Sequence, residues 1–285
     1  ETEKSILSHR NCVVIKNQQE YKTNQEVTTP TNRIITSMLS KERFLFLLRY
    51  GFAYVERKVE LEDGTMGTTL QKHVMRYQQM FASYAIKKTL KKNIKSGIIW
   101  HTQGSGKTAL AYYNIKILTD FFAQRNIVAK FYFIVDRIDL MEQSTDEFAA
   151  RGLVVRNAKS RDELMKDITS RSITHNNEGK LEIMVVNIQK FKEDKTTVKV
   201  EDSYNTQLQR IFFIDEAHRG YNPQGSFLAN LLEADKNAVK IALTGTPLLK
   251  EERESWRIFG DYIHKYYHDK SIADGYTCKL MREPI

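Results

Sequence analysis

The sequence predicts an α/β fold, a parallel sheet with helices on both faces, preceded by a short mixed N-terminal segment. Three observations carry this. Short continuous apolar runs, at 97–100, 131–135, 183–188, 211–214 and 239–243, recur along the chain. Runs of that kind suit strands buried on both faces. A glycine-rich turn, Gly104-Ser105-Gly106, separates the first run from a segment of helical spacing. An acidic pair, Asp215-Glu216, directly follows another run.

The elements follow in order. Residues 1–70 differ from the rest, rich in Asn, Gln and Thr before turning apolar at Phe44-Leu45-Phe46-Leu47-Leu48. Residues 61–69, with Gly64 and Gly67, predict a turn or loop. The spacing predicts a helix over 73–92, a strand over 97–100 and a helix over 107–122. The remaining apolar runs predict four further strands.

Composition narrows the class. The 285 residues are 41% hydrophobic, 28% charged and 11% aromatic, which excludes a disordered tail. Only 13 Gly and 4 Pro exclude collagen-like and low-complexity chains. The length suits one large domain, or one domain and a smaller piece, with a sizeable core. The longest apolar candidate, 44–55, is broken by Arg49 and falls short of the roughly 18 residues that cross a bilayer. The polar opening Glu1-Thr2-Glu3-Lys4 is not a signal peptide, and the missing initiator Met points to a fragment of a longer protein. Two cysteines, Cys12 and Cys278, far apart in sequence, fit a reducing cytoplasm rather than a disulfide framework or zinc cage. The charge of +9, from 44 Lys and Arg against 35 Asp and Glu, suits a polyanion such as nucleic acid, although many soluble proteins are as basic.

Three motifs carry chemistry. In Gly104-Ser105-Gly106-Lys107-Thr108 the glycines let backbone N–H groups wrap a phosphate at a helix N-terminus. Lys107 would reach the β- and γ-phosphates and Thr108 would ligate magnesium. The full pattern places Gly six residues before the lysine, and here that residue is His101. A glycine-rich turn of no special use is the alternative. Asp215-Glu216-Ala217-His218 follows a strand, where carboxylates point into the ligand crevice. Asp215 would hold magnesium and Glu216 would orient or deprotonate the attacking water. The alternative is a polar strand end before a helix, where acids are favoured anyway. Thr244-Gly245-Thr246-Pro247 follows a third strand; Thr244 and Thr246 could couple the catalytic carboxylate or His218 to nucleotide state, or form an ordinary turn.

On these motifs, residues 73–270 resemble the first RecA-like lobe of a superfamily 2 helicase or translocase. Trp100-His101-Thr102-Gln103-Gly104-Ser105-Gly106-Lys107-Thr108 is similar to the motor subunit of type I restriction enzymes, the HsdR family, in which a His commonly replaces the first glycine. Val135-Asp136-Arg137 with Asp139, Leu140 and Gln143 resembles the family's motif Ia, and residues 186–191 its motif Ib. Arg76-Tyr77-Gln78-Gln79 resembles the upstream glutamine motif, with Gln79 at the position that reads the adenine edge. Residues 39–45 resemble the helix before the motor.

The resemblance implies ATP and Mg2+ as cofactors, with Lys107, Asp215, Glu216 and His218 catalytic. ATP would be bound by Gln79, Gly104, Ser105, Gly106, Lys107 and Thr108, and metal by Thr108 and Asp215. Arg137, Gln189 and Lys190 would touch phosphates of double-stranded DNA. The family's partners are methyltransferase and specificity subunits, and its location is the prokaryotic cytoplasm, with no membrane. The expected division is a connecting segment over 1–70, the first lobe over 71–270 and a linker toward a second lobe over 271–285. The family's nuclease carries an Asp before a Glu-x-Lys. Glu20-Tyr21-Lys22 and Glu56-Arg57-Lys58 fit the triplet, but the first Asp is Asp63, so both read as charged strand edges and the nuclease would lie before Glu1. Lys87, Lys88, Lys91, Lys92 and Lys95 read as a solvated basic face rather than a DNA site. Two rivals stand beside a partner-loaded DNA translocase: a stand-alone superfamily 2 helicase, and a nucleotide-gated switch that remodels protein complexes.

Overall fold

A computed structural model describes residues 39–61, 64–170, 179–191, 207–216, 231, 235–246 and 259–278. The chain enters through helix α1 (Lys41–Tyr50), which buries Arg43 and Phe46. Phe46 packs on Tyr84, ring centroids 4.5 Å apart. At its end Arg49 and Tyr50 both donate to Asp120. Strands β1 (Phe52–Glu60) and β2 (Met66–Val74) then form an antiparallel hairpin, Phe52 opposite Val74 and Glu60 opposite Met66.

This hairpin corrects two expectations. The loop expected over 61–69 is only the tip, and residues 73 and 74 end β2, so helix α2 spans Tyr77–Lys91. The physical reason is the placement of apolar residues. No residue of β2 is buried, with Met66, Leu70 and Val74 exposed, so no buried apolar face marks the strand and Gly64 and Gly67 read as a turn. Glu56-Arg57-Lys58 lies within β1 as a charged strand, with Arg57 paired to Glu147 at 2.7 Å.

The larger sheet collects the remaining described strands: β3 (Ser96–His101), β4 (Val128–Val135), β5 (Val154–Asn157), β6 (Glu182–Asn187), β7 (Leu208–Asp215), β8 (Val239–Thr244) and β9 (Tyr262–Tyr266). Their order is β5-β6-β4-β7-β8-β3-β9, and every pairing is parallel. Helices α3 (Lys107–Ala123), α4 (Ile138–Ala149), α5 (Arg161–Thr169) and α6 (His268–Ala273) connect or follow them. Continuous apolar runs make this possible because alternate residues feed opposite cores. Phe131, Phe133, Ile211 and Phe213 join the core under α2, α3 and α4. Tyr132, Ile134, Phe212 and Ile214 join the core that includes Leu164 and Ile168 of α5. Tyr132 and Phe212 stack at 4.8 Å. β5 and β9 are edge strands that the apolar runs did not announce, being short and only partly buried.

Charge is buried near the starts of the strands, at the end opposite the site described below. Arg210 and Asp235, 1% and 0% exposed, pair at 2.6 Å. Asp167 takes Lys130 at 2.9 Å, Arg156 at 2.6 Å and the Tyr132 hydroxyl at 2.9 Å. Of the basic stripe, Lys88, Lys91 and Lys92 are exposed, Lys87 lies over the Phe46 ring and Lys95 donates to the Asn237 carbonyl. No helix among the described residues is long and apolar enough to cross a membrane.

Candidate nucleotide site

Parallel strands end together, and the motifs meet where β3, β7 and β8 end. After β3 the chain turns through residues 102–106 into α3. Gly104 and Gly106 have φ of +78° and +83°, a region costly for side chains. A Cβ on Gly106 would also fall 2.5 Å from Gln79 Nε2. Gly106 caps α3, so first-turn N–H groups face the crevice. His101 explains its own departure from the glycine pattern. Its ring is fully buried beneath the loop, 2.8 Å from His264 Nδ1 on β9. Burial, with His264 and Lys107 nearby, holds its pKa well below the usual histidine range, so the ring is neutral.

Across the crevice, Lys107 Nζ lies 3.5 Å from Glu216 Oε1, the two side chains 10% and 23% exposed. Glu216 adopts φ +47°, an uncommon conformation for a residue other than glycine, which turns the chain sharply at the end of β7. Gly245 leaves room for both. A Cβ there would stand 3.5 Å from Lys107 Nζ and 3.8 Å from Glu216 Oε1. Trp100 Nε1 fixes this turn by donating to the Gly245 carbonyl at 3.3 Å. The Thr244 hydroxyl donates to the Thr246 carbonyl at 2.9 Å, which closes the turn of the third motif.

Asp215 Oδ1 is out of solvent with no hydrogen-bond partner. Burial raises its pKa to about 6, opposed by Lys107 and helped by Glu216 and Asp136. Ser105 Oγ is likewise buried and unpartnered. The Asp215 carboxylate takes a backbone hydrogen bond from Glu216, and its unpartnered, buried Oδ1 fits a cation. Among the described residues no group of three or more His, Cys, Asp or Glu could hold a metal alone. A magnesium ion here would therefore draw on phosphate and water as well, as that ion commonly does.

Gln79 is 3% exposed. Its Oε1 accepts from the Arg76 backbone N at 2.9 Å and its Nε2 donates to the Gly106 carbonyl at 3.0 Å, tying α2 to the loop. Thr108 lies in the first turn of α3. Arg137 and Gln189 follow the adjacent strands β4 and β6 and so share the strand-end edge with Asp215. Arg137 is bound to Asp139 through both carboxylate oxygens, at 3.0 and 2.6 Å, and Gln189 is exposed. Lys190 belongs to the same 3-10 turn as Gln189. His218 lies outside the described residues.

An open cleft of about 530 Å³ faces the loop. It is lined by residues 102–104 of the loop, by Glu216, Gly245 and Thr246, and by His268, Tyr276, Thr277 and Cys278, with the Thr102 hydroxyl 3.4 Å from His268 Nδ1. These last four residues and the His264 contact carry no motif, and only their places in space reveal them.

A RecA-like parallel sheet with this cleft at its strand ends has the architecture of a nucleotide-binding α/β lobe. The SWI2/SNF2 ATPase family model matches residues 78–284, and the chain belongs to that family. It is similar to the endonuclease subunit of type I restriction enzyme SauCOLORF180P of Staphylococcus aureus (strain COL), 31% identical over 209 residues, covering 70% of this chain and 21% of the relative. The HindI endonuclease subunit of Haemophilus influenzae is 26% identical over 246 residues, covering 80% of this chain and 22% of the relative. The chain thus spans about a fifth of the length of these relatives. Among solved structures, the ATP-dependent type ISP restriction-modification enzyme LlaBIII bound to DNA shares the fold, with a TM-score of 0.51 at 12% identity, covering 73% of this chain and 16% of that one.

Proposed function

We propose that the chain is the first motor lobe of the restriction subunit of a type I restriction-modification enzyme, which binds Mg-ATP and couples its hydrolysis to movement along double-stranded DNA. The meeting of Lys107 and Glu216 at 3.5 Å, over Gly245, carries this reading. A phosphate-binding cation and a water-activating carboxylate would face the same small volume, as phosphoryl transfer to water requires.

The loop N–H groups and Lys107 bind the phosphates, and Gln79 holds the loop while its remaining lone pair and N–H reach the adenine edge. Glu216 releases Lys107 to the nucleotide and orients water. Asp215 and Thr108 would hold magnesium, which would supply charge to offset that of the phosphates. Thr244 and Thr246, with His218, pass the nucleotide state to neighbouring elements. Arg137, Gln189 and Lys190 touch DNA phosphates, so binding is independent of sequence and weakens with salt. Residues 71–270 form the lobe, 1–70 join it to a nuclease and 271–285 lead to a second lobe. Methyltransferase and specificity subunits supply the target, in a prokaryotic cytoplasm.

The test is displacement of a triplex-forming strand by the full-length protein, with and without those subunits. ATP-dependent displacement only with the subunits, abolished by Lys107→Ala, is expected. Unaided strand separation would overturn the reading in favour of a stand-alone helicase. Biological activity that survives Glu216→Gln would favour a nucleotide-gated switch.

A further inference from the structure

The turn after α6 also lines the cleft, and several bonds fix it. The Asp274 carboxylate accepts from the Tyr77 hydroxyl and, at 2.6 Å, from the Tyr266 hydroxyl. The Tyr276 and Thr277 backbone N–H groups donate to the Ser271 carbonyl at 2.9 and 3.2 Å, and the Ser271 and Thr277 hydroxyls lie 2.6 Å apart. Tyr77 follows Arg76, so this anchor brings the turn against the start of α2. There the Arg76 guanidinium lies 4.4 Å from the centre of the Tyr276 ring, and its Nη1 donates to the Gly104 carbonyl at 3.2 Å. One cation therefore joins an aromatic ring to the phosphate loop. Tyr276 remains 42% exposed and lines the cleft.

A ring held in place by its own backbone and by a guanidinium, open to a cleft that the glycine-rich loop also lines, can serve as a stacking platform. Gln79 supplies no such surface. It is buried, with both ends of its amide engaged, and offers hydrogen bonds to a base edge at most. We infer that Tyr276 carries the base of the nucleoside triphosphate, stacking on it while the phosphates reach Lys107. This rests on the reading of the cleft as a nucleotide site. Every nucleobase presents a π face, so the platform favours a ligand with a base over one without, and the larger purine face over the pyrimidine.

The test compares ATP with inorganic tripolyphosphate, which has the phosphates and no base. Binding of each is measured by titration calorimetry to the full chain and to the Tyr276→Ala and Tyr276→Phe variants. Y276A is expected to bind ATP about tenfold more weakly and tripolyphosphate unchanged, as loss of one stacked base predicts. Y276F, which keeps the ring, is expected to match the native chain with both ligands. Equal weakening of both ligands in Y276A would overturn the proposal, because Tyr276 would then only support the loop. Unchanged ATP binding in Y276A would overturn it as well. The exposed Cys278 thiol, which lines the same cleft, gives a reading that needs no variant. ATP is expected to slow its alkylation by iodoacetamide, followed on the Cys278 peptide by mass spectrometry, and tripolyphosphate is not; equal effects of the two would count against the proposal. A native chain that binds neither ligand would remove the nucleotide reading itself and this inference with it.

Discussion

Substituting Glu216→Gln is expected to tighten nucleotide binding while stopping hydrolysis. Lys107 is paired with Glu216 at 3.5 Å, so a phosphate that reaches the lysine competes with a carboxylate. At an effective dielectric constant near 20 the gross attraction at that separation is about 5 kcal/mol. The side chains are 10% and 23% exposed, and water competes for both, so a net value of about 1.5 kcal/mol is more realistic. Removing that competition should lower the dissociation constant for ATP about tenfold. Glutamine keeps the length of the side chain and suffers the same positive φ as glutamate, so the backbone is not relieved or further strained. Loss of the group proposed to orient or deprotonate water should lower turnover by about 10²- to 10⁴-fold. Titration calorimetry gives the first quantity and steady-state phosphate release the second. Turnover within about threefold of the native rate would refute the role given to Glu216. Unchanged or weaker ATP binding would refute the competition for Lys107.

Three further outcomes follow from the geometry. Gly106→Ala forces a Cβ to φ +83° and within 2.5 Å of Gln79 Nε2, so it should lower Tm by several degrees and abolish ATP binding; Gly245→Ala meets only ordinary contacts at 3.5 to 3.8 Å and should leave Tm within about one degree. Equal Tm losses in the two variants would contradict this contrast. Asp215 has its folded pKa raised to about 6 against an ordinary 3.8, so its ionisation costs the fold nothing below about pH 4 and costs most above pH 6. Asp215→Asn, studied with a chelator and no nucleotide, should therefore be the more stable form at pH 8, by about 2 kcal/mol, with the gain fading toward pH 4; a gain that grows as pH falls would reverse the assignment. Asp235→Asn leaves the buried Arg210 guanidinium without its carboxylate and should cost about 3–5 kcal/mol in urea unfolding, and a loss under about 1 kcal/mol would show that the pair is dispensable.

Much of the fold was legible in the chain because its central strands are buried on both faces. Phe131, Phe133, Ile211 and Phe213 alternate with Tyr132, Ile134, Phe212 and Ile214, and two apolar faces leave an unbroken apolar run. The phosphate loop was legible for a local reason: the positive φ of Gly104 and Gly106 favours glycine at both positions whatever surrounds the turn. The hairpin was not, since no residue of β2 is buried, its apolar residues Met66, Leu70 and Val74 face outward, and Gly64 and Gly67 read as a loop. Nor were β5 and β9, whose mixed residues become strands only because β6 and β3 offer them free edges.

The sequence by itself therefore determined which residues are candidates to bind phosphate and activate water, because those capacities reside in side-chain chemistry and in local backbone torsions. Tertiary structure alone decided which of them meet. Parallel pairing aligns the ends of β3, β8 and β7, and that register sets Lys107 against Glu216 across Gly245. The same pairing folds β9 beside β3, which buries His101 on His264 and carries Tyr276 round to Arg76. Contacts between segments so distant along the chain depend on strand order, and strand order is fixed by the packing of the whole sheet rather than by any one stretch of residues.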